Sequence, residues 1–105
     1  MLITLYVRYL NRIVEENAFD NIMEVVARVI DGYTTVSGTG GYIDESGKFV
    51  IDLVKRIEFS IEERAPLDIE PKLAMVDITI ESLKRLYKQD TVLKTTQYNI
   101  LRETV

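Results

Sequence analysis

Tyr42 and Asp52 stand on either side of the turn sequence Asp44-Glu45-Ser46-Gly47, so a hairpin would set them on adjacent strands. Immediately before Tyr42 the chain runs Gly38-Thr39-Gly40-Gly41. Closely spaced glycines let a backbone take positive φ and let a ligand approach its amide groups. Gly38, Thr39, Gly40 and Gly41 are therefore candidates to cradle a phosphate, a carboxylate or the edge of an adenine ring. The alternative at the glycines is a β-bulge that curves the strand, and at Asp52 a solvated strand residue paired with Arg56 or Lys55. The cluster matches neither a Walker loop nor a dinucleotide fingerprint.

The chain has no cysteine and no histidine, which excludes disulfides, thiol nucleophiles, imidazole acid/base catalysis and nearly all zinc sites. Any chemistry rests on carboxylates, tyrosines, hydroxyls, lysines and arginines, and no metal or cofactor is expected. A net charge of -4 with 13 scattered basic residues argues against a nucleic-acid partner, because such affinity comes from phosphate neutralisation. The one tight basic cluster, Lys84, Arg85 and Lys88, falls where a helix should end and complements its dipole; Glu15, Glu16 and Asp20 do the same at a helix start. The opening run Leu2-Ile3-Thr4-Leu5-Tyr6-Val7-Arg8 is not a targeting segment, and no apolar run approaches bilayer length. A soluble protein without membrane partners is expected, and the lack of disulfides fits a cytoplasmic location.

These residues need elements to hold them. Residues 2 to 10 alternate, with Ile3, Leu5, Val7 and Tyr9 on one side and Thr4, Tyr6 and Arg8 on the other, as in a half-buried strand. Phe19, Ile22, Val25, Val26, Val29 and Ile30 lay an apolar stripe along a helix from about 16 to 30, capped by Asn11 or Asn17 and stopped by Gly32. Tyr33 to Ile43 reads as a second strand bending at the glycines. Phe49, Ile51, Leu53, Ile57, Phe59 and Ile61 give a third, in which Lys55 marks a bulge or a charge reaching out at an edge. Glu62 to Asp68 reads as a loop, and Pro71 fits the first turn of a second helix carrying Leu73, Val76, Ile80, Leu83 and Tyr87. Val92, Lys94, Thr96, Tyr98 and Ile100 alternate as a fourth strand, and the whole chain, 1–105, makes one domain.

Two split β-α-β units in this order give an α+β, ferredoxin-like βαββαβ fold, an antiparallel sheet with both helices on one face. With Ile3, Leu5, Val7, Phe49, Ile51 and Leu53 against the helices, the other face carries Tyr6, Val36, Val50, Val54 and Tyr98, an apolar-rich surface that a partner subunit would cover. A domain of this size buries only about two-thirds of the surface its unfolded chain exposes, so association adds useful burial.

The runs Gly32-Tyr33-Thr34-Thr35-Val36 and Phe49-Val50-Ile51-Asp52-Leu53-Val54-Lys55-Arg56-Ile57-Glu58-Phe59, with the glycine-bearing stretch between them, resemble PII-like signalling proteins. The resemblance implies a homotrimer that binds nucleotides or adenosyl ligands in clefts between subunits, near the base of the hairpin. The hairpin turn is short, and Lys88-Gln89-Asp90-Thr91 is no counterpart of the glycine-rich phosphate loop of the nitrogen regulators. In these respects the chain is similar to short-loop relatives, among them phage S-adenosylmethionine lyases. That likeness implies ligand-facing roles for Tyr42 and Asp52: the carboxylate to hold or polarise a cationic ligand, the tyrosine to orient its amino-acid portion or stack on a sulfonium.

Three functions follow as expectations. The first is a homo-oligomer that captures a nucleotide or adenosyl compound as a sensor or sponge. The second is an S-adenosylmethionine lyase that releases methylthioadenosine, with Tyr42 and Asp52 as its catalytic residues. The third is a structural or partner-binding oligomer with no ligand.

Overall fold

The computed structural model of the chain describes residues 1–9, 16–62 and 66–98, the side chains of 66–68 excepted. The alternating amino-terminal run forms β1 (Leu2–Arg8), followed by α1 (Glu16–Val29), β2 (Tyr33–Ile43), β3 (Phe49–Ser60), α2 (Pro66–Tyr87) and β4 (Leu93–Gln97). The four strands make one antiparallel sheet in the order β2-β3-β1-β4, with β1 and β3 at its centre. Element order and strand order are those of a ferredoxin-like α+β fold.

Period-two alternation decides which strand residues meet the helices. Ile3, Leu5 and Val7 lie opposite Phe59, Ile57 and Lys55, so all six share one face. Their hydrophobic members are buried in a single core with Phe19, Met23 and Val26 of α1 and Val76, Leu83 and Tyr87 of α2. The helical residues recur every three to four positions, which keeps each apolar stripe on one side. Thr79, also wholly buried, satisfies its hydroxyl by donating to the Met75 carbonyl at 2.7 Å. Leu5 is fully buried mid-sheet, and truncating such a residue to alanine costs about 2–5 kcal/mol.

The turn residues act as expected. The Asp44 carboxylate accepts hydrogen bonds from the Ser46 amide, the Ser46 hydroxyl and the Lys48 amide at 2.6–2.9 Å, and Gly47 takes a φ of 82°. These bonds hold the Asp44 carboxyl below the usual carboxylate range, the Ser46 hydroxyl contributing most.

Four local expectations are corrected. β2 and β3 pair without interruption from Tyr33↔Phe59 to Ile43↔Phe49, so there is neither a bulge nor a bend at the glycines, and Gly38, Gly40 and Gly41 all keep negative-φ strand geometry. Lys55 is not at a bulge or reaching out: it is 6% exposed, with its Nζ 3.8 Å from the Phe19 ring centroid, 5.7 Å from those of Tyr9 and Tyr87, and 3.4 Å from Glu16 Oε2. Three π faces and a carboxylate make a charged end acceptable inside. Phe49 and Ile51 do not meet the helices; they are 62% and 59% exposed, because β1 covers β3 only from Val54 to Ser60 and the hairpin runs on past the core. Pro71 lies inside α2, not at its first turn, since the helix begins at Pro66, whose missing N–H suits a first helical position.

Asn17 is likewise inside α1 and caps nothing, while Asn11, Glu15 and Ile100 lie outside the described residues. Lys84 and Arg85 occupy the last turn of α2, where their charge faces the carbonyl end of the dipole.

Candidate functional site

Strand register assembles a cleft of about 350 Å³ on the sheet face opposite the core. In β2 and β3, Gly40 lies opposite Asp52 and Tyr42 opposite Val50; Val54 sits between Gly38 on one side and Arg8 on the other. Alternation therefore turns Tyr42, Asp52, Val54, Arg8 and Tyr6 to one side, and Gly40 leaves a gap among them. Gly40, Gly41 and these five residues form one wall of the cleft, and Gln89, Thr91 and Leu93 form the other.

The second wall depends on how α2 ends. Lys88 adopts φ 53°, and the Gln89 amide donates back to the Lys84 carbonyl at 2.9 Å, a left-handed helix stop that swings the following residues across β1. Leu93 then pairs with Tyr6, which pins this connection beside the cleft.

Asp52 is the unusual group. It is 2% exposed, its Oδ2 lies 3.5 Å from Arg8 Nε, and its Oδ1 has no hydrogen-bond partner among the described residues. An unpaired buried carboxylate oxygen is costly, by more than the 1–3 kcal/mol typical of neutral groups, and it invites a donor or a cation. Arg8 stays 59% exposed with its guanidinium carbon 5.2 Å from the Tyr42 ring centroid, so it leans over the tyrosine while touching the carboxylate. The site thus combines a buried anionic oxygen, a half-free guanidinium and an aromatic face, which suits a ligand carrying both a cation and polar or planar parts.

Of the residues singled out in the sequence, the structure brings Tyr42, Asp52, Gly40 and Gly41 together in this cleft. Gly38 lies one step beyond the lining, and Thr39 pairs with Leu53 on the alternate phase. Asp52 is not a solvated partner of Arg56 or Lys55: those bind Glu58 and Glu16, at 3.1 and 3.4 Å. Arg8, Tyr6, Gln89, Thr91 and Leu93 were missed. Arg8 and Tyr6 were visible as the outward phase of β1, but only register brings Arg8 to Asp52 and Tyr6 into the same lining. Among the described residues no cluster of three or more acidic side chains offers a metal site, and no helix is long and apolar enough to cross a membrane.

No family model matches the chain, and no curated protein matches it by sequence. Its fold, however, matches solved structures. A phage S-adenosylmethionine lyase in complex with S-methyl-5'-thioadenosine superimposes with a TM-score of 0.60 at 17% identity, over 89% of this chain and 76% of that one. The same kind of lyase in its apo state gives 0.59 at 18% identity, over 89% and 75% of the two chains. CutA1 from Pyrococcus horikoshii gives 0.52 at 12% identity, over 98% and 89%. The chain thus has the PII-like, ferredoxin-type fold of these proteins.

Proposed function

We propose that this chain is a homotrimeric, PII-like small-molecule-binding protein that holds an adenosyl ligand in the Tyr42–Asp52 cleft, both helices covering the opposite sheet face. The observation that carries this reading is the buried, unpaired Oδ1 of Asp52, a residue that lines a cleft of about 350 Å³, within the range of small-ligand sites. A carboxylate so placed is satisfied by a sulfonium, an ammonium, or the N–H and O–H donors of an adenosine. The adenosine-derived ligand of the lyase with the similar fold supports the choice of an adenosyl compound over other cations.

Self-association is supported by the overhanging hairpin. Ile43, Phe49 and Ile51 share one face there and are 59–63% exposed, an apolar patch that a second copy would cover.

A second reading, S-adenosylmethionine lyase, is favoured by one feature: the Tyr42 ring and the Asp52 carboxylate flank the same space, the first able to orient a sulfonium and the second to hold it by charge. In that reaction the ligand's own carboxylate oxygen attacks the methylene beside sulfur. The carbon–sulfur bond breaks with its electron pair going to the sulfonium, so a lactone and methylthioadenosine form with no external proton, metal or oxidant.

The deciding experiment is thermal denaturation with S-adenosylmethionine, methylthioadenosine, ATP and ADP, followed by chromatography of each positive mixture. A ligand at a hundred times its dissociation constant adds about 2.7 kcal/mol, a shift on the order of 10 °C for a domain of this length. A shift with the ligand intact supports the binding protein, and a shift with methylthioadenosine appearing supports the lyase. No shift with any of the four supports the ligand-free assembly instead.

A further inference from the structure

We infer that Arg8 is the specificity-determining residue of the cleft, the group that reads a carboxylate on the ligand, so that the site selects a dipolar amino-acid head beside the adenosyl group. This inference rests on the adenosyl-binding reading above.

Three observations carry it. Arg8 meets Asp52 at 3.5 Å, Nε to Oδ2, and among the described residues it forms an ion pair with no other acidic group. A guanidinium has five donors arranged to meet a carboxylate with two parallel bonds, so most of this capacity is uncommitted. On the other side of the contact, Asp52 keeps Oδ1 free and buried. A free cationic fork next to a free anionic oxygen, within one ion-pair distance, is the complement of an α-ammonium next to an α-carboxylate. The ammonium satisfies Oδ1 while the carboxylate takes the fork.

The surroundings favour Arg8 over the neighbouring cations. Arg56 lies on the same sheet phase but is held by Glu58 at 3.1 Å, outside the cleft lining; Lys55 is on the core side, in its aromatic cage. The Tyr42 face, 5.2 Å from the guanidinium carbon, keeps the Arg8 side chain over the cleft. A carboxylate clamped by a guanidinium is also a weaker nucleophile, so this contact favours retention of the ligand over ring closure.

The test uses calorimetric titration of the full chain with S-adenosylhomocysteine, which keeps the dipolar head, methylthioadenosine, which lacks it, and free methionine, which is a head without adenosine. The wild type should bind S-adenosylhomocysteine about tenfold or more tightly than methylthioadenosine, and methionine only weakly. Arg8→Gln should lose about tenfold or more for S-adenosylhomocysteine and less than about threefold for methylthioadenosine, while Arg56→Gln, the same charge removed outside the cleft, keeps the wild-type preference. Equal losses for both ligands in Arg8→Gln, or an equal loss of preference in Arg56→Gln, overturn the role of Arg8 and leave the adenosyl cleft standing. Methionine binding as tightly as S-adenosylhomocysteine, or no binding of either adenosyl compound to the wild type, overturns the adenosyl reading itself.

Discussion

Arg8 and Asp52 are not register partners, yet Arg8 Nε and Asp52 Oδ2 lie 3.5 Å apart, because Arg8 reaches diagonally past Val54, its own partner on β3. The diagonal contact leaves one oxygen of the carboxylate unpaired and most of the guanidinium free, and it occurs on the sheet face that also presents Tyr42.

Gly40→Ala tests the glycine-lined wall. A Cβ at this position would come 3.4 Å from Val54 Cγ2, an ordinary contact, so folding should be nearly unaffected, with a change under about 1 kcal/mol. The added methyl enters the cleft, and adenosyl affinity should fall several-fold by calorimetry. Unaltered affinity would remove the glycine from the ligand's path.

Lys55 links the aromatic cage to stability. Lys55→Ala removes a buried stem and its cation–π contacts and should cost about 2–4 kcal/mol in urea unfolding, with Lys55→Met recovering part of it. A loss below about 0.5 kcal/mol would mean that the cage holds nothing up.

The same cage sets an alkaline limit. Burial disfavours the Lys55 ammonium, but the facing Tyr87 oxygen and Glu16 outweigh it, so its pKa lies above the ordinary 10.5; burial pushes Tyr87 above its ordinary 10.0, against the pull of Lys55. Both groups hold their protons more tightly folded than unfolded. As pH passes about 10 the unfolded chain deprotonates first, and stability present below that pH is lost as it rises. Among the described residues the Tyr87 hydroxyl makes no hydrogen bond of acceptable geometry, so Tyr87→Phe should be tolerated at pH 7 and should lessen the loss seen in melts between pH 9 and 11. A steeper alkaline loss in that variant would contradict the assignment.

Lys88→Gly concerns the helix stop that positions Gln89. A non-glycine residue at φ 53° carries strain that glycine avoids, so the change should stabilise the fold by about 0.5–1 kcal/mol. Destabilisation in thermal melts would show that the lysine side chain matters more than its backbone.

Phe49→Asp and Ile51→Asp address assembly. Each places a charge on the overhanging apolar hairpin face, and if that face carries the proposed self-association, light scattering should find a smaller particle than for the wild type at equal concentration, with helical circular dichroism retained. Unchanged mass in both variants would place the subunit contact elsewhere.

Much of the fold was legible in the residues. Ile3, Leu5 and Val7 announced β1 by alternation, and Asp44 to Gly47 carry turn chemistry that acts locally; of the stripe read for α1, Phe19, Val26 and Ile30 are buried, but Val25 is 56% exposed and the buried Met23 was not read. Lys55 misled, because alternation assigns a face but does not reveal the three rings that make a charge tolerable there. Pro71 misled for a related reason: a proline that suits a first turn was read as one, while Pro66 filled that place. Of the site, Tyr42, Asp52 and Gly40 were visible as neighbours across one short turn. Arg8, Gln89 and Thr91 were not, since they come from opposite ends of the chain and meet the hairpin only through the pairing of β1 with β3 and β4.

The most direct test of the central claim is calorimetric titration of wild type and Asp52→Asn with S-adenosylmethionine. The free, buried carboxylate oxygen predicts saturable binding of one ligand per chain to the wild type and a loss of about tenfold or more in Asp52→Asn, whose fold remains intact by circular dichroism. Equal affinity in the two proteins, or no binding to the wild type, would contradict the assignment of this cleft.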